Sequence, residues 1–435
     1  MASVVNFECP CCAAQLTFSG TMGEMTCAYC GSTFSVEQVM EANRETYASA
    51  QKSDMTWSSE DTGMIRDENG QVSGYVCPSC AAELVADANT AATECPYCGN
   101  PAILPQSFSG MYKPELVVPF SVDKNQAKEA LAGFYKGKKL LPRSFTEGNR
   151  IQQITGLYVP FWLFSCRAKG AATFEGVKSK TWEDAQYRYE KKDYYNLRRS
   201  GEMDFEQIPV DASTKMDDDT MDSLEPYDLT KAVPYNAAYF SGYLADRYDV
   251  QTKDAEPRAN ERVKNTFLSK LEESTKEFKE VRRKTEYIQL ENAKAQYAML
   301  PVWMMSTKYE DQIYTFGVNG QTGKMVGSLP VDKGKYFRYL ALATVIAMAV
   351  LQIAVYFLGG HAFGWKGEAI ALVISLVIGF VYAQSLKSAM NTIAKGRSAT
   401  SYLIDKSVKV HVDGNNFLYS KTNKTQKAQS NNNQK

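Results

Sequence analysis

Eight of the ten cysteines stand in four Cys-x-x-Cys pairs, the residue type and spacing that bind a soft metal. Cys9 and Cys12 are followed, after fourteen residues, by Cys27 and Cys30; Cys77 and Cys80 are followed at the same spacing by Cys95 and Cys98. Each short turn aims two thiolates at one point, and two turns complete a tetrahedral four-cysteine site that suits Zn²⁺. Iron in a rubredoxin-like site is the chemical rival, and disulfides are a remote one. Four thiolates leave no position for water or substrate, so two structural zinc ions are expected, each folding a small β ribbon rather than catalysing a reaction. Gly31 and Gly99 follow two of the pairs and supply the backbone freedom that a tight knuckle favours.

Every paired cysteine recurs at an offset of 68, and residues 7–16 align with residues 75–84 without a gap, so one module has been duplicated. Cys11 reads as a bystander thiol. Cys166 alternates with Trp162 and Phe164 on a predicted strand and reads as a buried core thiol.

Nothing resembling a secretory signal precedes Cys9, which predicts a reducing compartment for the ribbons. Tyr339 to Gly359 is 21 residues without a charge, enough to cross a hydrocarbon core of about 30 Å at about 1.5 Å per residue. Ala369 to Leu386 is a second such run, and the two predict a transmembrane hairpin in contact with lipid. Lys333, Lys335 and Arg338 flank one end and Lys387, Lys395 and Arg397 the other, whereas the loop between offers Lys366. The positive-inside rule then predicts a multi-pass protein of the inner (plasma) membrane with both termini cytoplasmic.

The fold class expected is multidomain: two tandem zinc ribbons, a central α+β domain rich in antiparallel strands, and a C-terminal two-helix transmembrane hairpin. The boundaries are ribbon 1 at 1–34, a helix and linker at 35–74, ribbon 2 at 75–104, a connecting α/β segment at 105–155, the α+β domain at 156–332, the hairpin at 339–386 and a partly disordered cytoplasmic tail at 387–435. Within this frame Val36 to Gln51 and Pro257 to Lys279 have helical composition, the latter with Val263, Phe267, Leu271 and Phe278 on one face. Tyr158-Val-Pro-Phe-Trp162 and Leu300-Pro-Val-Trp303 share a Pro-x-Trp core, which predicts related β units or paired strands. Asn319-Gly-Gln-Thr-Gly-Lys324 predicts a hairpin turn. Asp217 to Asp219 predict a helix N-terminus, and Lys421 to Lys435, nearly devoid of apolar residues, an unfolded tail.

Forty-nine basic residues balance forty-nine acidic ones, so broad wrapping of nucleic acid is excluded and any such contact is local. The Tyr187 to Arg199 stretch mixes tyrosines with Arg and Lys, as surfaces that stack bases or meet anionic lipid head groups do, but half-exposed antiparallel strands give the same pattern. The two histidines, His361 and His411, have no nucleophile or carboxylate near them in sequence. Lys324 is followed by Met325 where a phosphate loop needs Ser or Thr. No enzyme, catalytic residue, organic cofactor or small-molecule substrate is indicated.

Together with the Cys-Pro-x-Cys ribbons, the strings Tyr158-Val-Pro-Phe-Trp-Leu-Phe, Pro209-Val-Asp-Ala-Ser, Leu224-Glu-Pro-Tyr-Asp, Gly242-Tyr-Leu-Ala-Asp, Asn319-Gly-Gln-Thr-Gly-Lys and Leu329-Pro-Val-Asp-Lys-Gly resemble the bacterial TFIIB-type zinc-ribbon membrane proteins, YdjG-like proteins among them. The resemblance implies a role in envelope stress by recruiting PspA-type proteins to the membrane. Relatives labelled primosomal protein N′ or replication-restart helicase share the ribbon, but no helicase box is present here. The function expected is a membrane-anchored cytoplasmic scaffold that binds a protein partner. A membrane-tethered nucleic-acid binder is the alternative, and an enzyme in the β-rich domain a third option.

Overall fold

The computed structural model describes residues 9, 14–19, 23–39, 53–59, 64–65, 72–87, 95–100, 104–106, 111–146, 154–310, 312–357 and 364–427. Cys11, Cys12, His361 and the expected helix beyond residue 39 lie outside them.

Ribbon 1 is a three-stranded antiparallel sheet of β1 (Leu16–Ser19), β2 (Glu24–Cys27) and β3 (Thr33–Ser35). Leu16, Met25, Phe34 and Val39 close over Cys9 and Cys27 as a small separate core. A helical turn at 36–39 opens on a capping box, in which Ser35 N donates to Gln38 Oε1 and Gln38 N to Ser35 Oγ. Ribbon 2 is built of β4 (Val72–Val76), β5 (Glu83–Asp87) and β6 (Leu104–Gln106), all antiparallel.

The central domain is organised by three very long strands, β7 (Thr155–Glu183), β8 (Tyr187–Asp211) and, after the short β9 (Leu244–Asp246), β10 (Glu280–Tyr309). β7 pairs with β8 on one side and β10 on the other, antiparallel throughout, and at 29 residues it extends for about 95 Å. Residues 156–163 are buried on both faces, which is why they read as an unbroken apolar run. The two Pro-x-Trp strings lie on adjacent strands, with Pro160 opposite Met299 and Tyr158 opposite Pro301. Their tryptophans each donate to a backbone carbonyl, Trp162 to Val250 and Trp303 to Val122.

α1 (Lys124–Tyr135) belongs to the connecting segment, and α2 (Asp218–Leu224) is capped by Asp217, whose side chain accepts from Thr220 N. α3 (Thr252–Glu273) starts five residues before the expected Pro257 and carries that proline inside it. Val263, Phe267 and Leu271 face the core as expected; Phe278, beyond the helix, is buried too. α4 (Lys333–Phe357) is the first apolar helix and α5 (Gly364–Ser388) the second, each longer than the apolar run that announced it. Between β10 and α4 the turn at Asn319 joins β11 (Gln312–Asn319) to β12 (Met325–Gly327), as predicted.

Two expectations are corrected. Lys421 to Gln426, assigned to an unfolded tail, is the end of β13 (Lys409–Gln426), which pairs with β8 from Glu202↔Lys409 to Tyr187↔Gln426. The outer edge of β8 supplies its backbone partners, and an edge strand needs no apolar composition when its polar side chains face water. The segment between the ribbons is more than a spacer, since Trp57 packs edge-on against Phe164 at 4.8 Å and donates to Asn260 Oδ1, fixing residues 53–59 to the central domain.

Candidate metal centres and the buried cluster beneath the second

The described knuckles share one backbone geometry. Cys9, Cys27, Cys77 and Cys95 each donate their N–H to the carbonyl five residues on, at 2.7–2.9 Å. The residue four on, Gly31, Ala81 or Gly99, takes a positive φ of 70°, 55° or 68° and donates back to the cysteine carbonyl. Glycine fits that conformation freely, and Ala81 holds it at a cost of about 1 kcal/mol.

This geometry brings the thiols together. The Sγ atoms of Cys77, Cys80, Cys95 and Cys98 all lie within 4.8 Å of one another, as do those of Cys9, Cys27 and Cys30. Cys77 and Cys98, Cys80 and Cys95, and Cys9 and Cys30 are each 3.6 Å apart. A disulfide needs about 2.0 Å, whereas metal–sulfur bonds of about 2.3 Å in a tetrahedron separate sulfurs by about 3.8 Å. The donor sets therefore fit a metal ion. Cys12, the expected fourth ligand of the first set, lies outside the described residues.

The second centre is built into the central domain. β5 pairs with β9, Leu84 opposite Asp246, so the ribbon sheet and the main sheet are continuous. Cys77, Leu84, Cys95 and Tyr97 belong to the main core. Ser306 Oγ donates to the knuckle carbonyls of Pro96 and Tyr97. Tyr97, 5% exposed, donates its hydroxyl to Asp246 Oδ2 at 2.5 Å, and Ser213 Oγ donates to the same atom at 2.7 Å.

Burial pushes Asp246 up to about 7, against the pull of these two donors. Neighbouring Asp211 is pushed well above the carboxylate range by burial, and its Oδ2 has no hydrogen-bond partner. Both acids are sealed from solvent, and Asp246 ties Tyr97 of ribbon 2 to the central domain. Asp211 and Ser213 come from Pro209-Val-Asp-Ala-Ser and Asp246 from Gly242-Tyr-Leu-Ala-Asp, strings to which the sequence alone attaches no role. Glu225 of Leu224-Glu-Pro-Tyr-Asp forms a second buried cluster, a bidentate pair with Arg262, which also donates to Ser398 O beyond the apolar helices. Nothing local in the sequence announces these long-range contacts.

The Tyr-rich stretch of β8 resolves as paired strands. Lys191 and Lys192 pair with Asp193, Glu190 and Glu280, Arg188 pairs with Glu183, and Arg199 is buried. Cys166 is a buried thiol pushed up to about 12 by its surroundings.

α4 and α5 are each long and apolar enough to cross a membrane, with Val345, Val350, Ile370, Val377 and Val381 exposed. They pack against each other where a Cβ on Gly379 would strike Thr344 Oγ1, a small-residue contact of the kind that joins helices in lipid. The chain is 31% identical over 353 residues to "Uncharacterized protein YdjG" of Bacillus subtilis (strain 168), an alignment covering 80% of this chain and 98% of YdjG. The chain belongs to the YdjG family. No family model matches it, and neither does any solved structure.

Proposed function

We propose that this YdjG-family chain is a membrane-anchored scaffold in which two structural Zn²⁺ ions fold the ribbons and ribbon 1 is offered to a cytoplasmic protein partner. The observation that carries the reading is the contrast between two equivalent tyrosines. Tyr97 of ribbon 2 is inserted into the central domain, while Tyr29, its counterpart 68 residues earlier, is 85% exposed. A ribbon face that docks on protein in one copy stands open in the other, and the core of ribbon 1 is independent of the main one.

The membrane part of the reading rests on the two apolar helices. Segment 390–399 beyond them returns to the central domain through Leu329 N to Met390 O and Ala399 N to Thr266 Oγ1, and β13 pairs with β8, which supports a hairpin with both ends on one side. The basic flanks favour the cytoplasmic side. Confinement to a surface raises the local concentration of a captured partner, so that modest affinity suffices. The family resemblance makes PspA-type proteins, and envelope stress, the first candidates.

The test is co-purification of PspA-type protein with the full chain from membranes, wild type against Tyr29→Ala and Cys27→Ser, with zinc measured by elemental analysis. Two zincs in the wild type and loss of the partner in both variants support the reading. Undiminished capture by Cys27→Ser excludes ribbon 1 as the platform.

A further inference from the structure

At the foot of α4 lies an open cavity of about 1000 Å³. Its walls are residues 142–144 at the start of a short helix (Arg143–Thr146), residues 309, 310, 312 and 314 where β10 gives way to β11, and residues 330–335 with Arg338. Among the described residues four cations line it, Arg143, Lys333, Lys335 and Arg338, against two acids, Glu310 and Asp332. Asp332 is already committed, because its Oδ1 accepts from Lys335 N at the start of the helix. Lys335 Nζ is held by Leu141 O at 2.6 Å and ties two walls together. Among the described residues no carboxylate lies within ion-pair distance of Lys333 or Arg338, both of them exposed, whereas most surface cations of the central domain do have such a partner. Ser144 and Tyr309, hydrogen-bonded to each other at 3.0 Å, add hydroxyls to the rim.

The cavity also sits at a defined height. Arg338 is the last charged residue before the 21 uncharged ones from Tyr339 to Gly359. The adjoining segment is fixed to the far helix, since Lys138 Nζ donates to Ala389 O and Lys139 Nζ to Tyr382 Oη at 3.3 Å. With α4 across a membrane, the cavity opens at head-group level, with exposed Lys333 and Arg338 and the hydroxyls of Ser144 and Tyr309 together.

We propose that this cavity is a binding site for the phosphate of an anionic phospholipid head group, with Lys333 and Arg338 as its principal cations. The proposal rests on the membrane reading above and adds a stoichiometric site to it. Purified full chain in phosphatidylcholine nanodiscs is titrated with phosphatidylglycerol, and retained lipid is counted by native mass spectrometry. Wild type is expected to retain one phosphatidylglycerol, the Lys333→Gln/Arg338→Gln double variant to bind it about tenfold or more weakly, and Lys387→Gln, a basic flank outside the cavity, to match wild type. Equal binding by wild type and the double variant, or equal loss in Lys387→Gln, overturns the proposal. Displacement by inorganic phosphate at similar concentration assigns the cavity to a soluble phosphoryl ligand and overturns the lipid assignment. A carbonate wash of cell membranes separates the two readings: release of wild-type chain defeats the membrane reading, whereas retention with no lipid preference defeats the site alone.

Discussion

Tyr29 and Tyr97 occupy the same place in two copies of one motif, between the third and fourth cysteines, yet one side chain is in solvent and the other is at the bottom of the main core. Ribbon 1 closes on its own few apolar residues and meets the rest of the protein at Phe34, edge-on to Tyr419 at 6.0 Å. Ribbon 2 shares its strands, its cysteines and its knuckle carbonyls with the central domain. A duplicated cysteine module can thus keep its own small core in one position and be a cornerstone of another domain's core in the next. The difference lies in what the rest of the chain offers each copy.

The largest effect should come from removing a metal ligand. Cys95→Ser is expected to lower the main melting transition by about 10 °C or more, because a structural site of this kind contributes on the order of 10 kcal/mol to whatever it folds. Cys27→Ser should unfold ribbon 1 and leave that transition within about 2 °C. Calorimetry that finds equal shifts breaks the comparison.

Next is a dependence on pH at the seam between ribbon 2 and the central domain. With Asp246 near 7 folded and about 3.9 unfolded, the folded state keeps a proton the unfolded chain has released. This contribution is fully present below about pH 4 and lost as pH rises through about 7, up to about 4 kcal/mol in all. Denaturant midpoints of Asp246→Asn should therefore vary less between pH 5.5 and 7.5 than those of wild type; an unchanged slope removes Asp246 from the account.

The tyrosines themselves give a matched pair. Tyr97→Phe leaves buried Asp246 with Ser213 as its remaining side-chain donor and should cost about 1–3 kcal/mol, while Tyr29→Phe should change stability by less than about 0.5 kcal/mol. Chemical denaturation of the two variants checks this directly, and similar losses would falsify the difference in burial.

The smallest effect lies in the knuckles. Ala81→Gly should stabilise ribbon 2 by up to about 1 kcal/mol by relieving a positive φ of 55°. Gly99→Ala should cost more than Gly31→Ala, because a Cβ at 99 comes within 3.3 Å of Ser306 O and one at 31 meets nothing within 4 Å. Melting curves that rank the two glycines the other way contradict the docking of ribbon 2.

Much of this was legible along the chain. The cysteine spacing, the two apolar runs, the Asp217 cap and the turn at Asn319 are local patterns, and the described residues form what those patterns specify. The end of β13 was not legible, because polar Lys, Thr and Asn side chains carry no signal for a strand whose support is the backbone edge of β8. Pro257 drew the start of α3 five residues late: the helix extends N-terminal of it to Thr252, with Ala255 buried, although a proline at this position forgoes the N–H it would donate to the carbonyl of Lys253.

What the sequence determined by itself is the metal chemistry, the duplication and the apolar hairpin, because each depends on residue type and short spacing. Tertiary structure alone decided which ribbon is built into the main core. Tyr29 and Tyr97 are the same residue in the same motif, and the groups that separate them, Asp246, Ser213 and Ser306, reach ribbon 2 from more than 100 residues away by strand pairing and hydrogen bonds that no local pattern encodes.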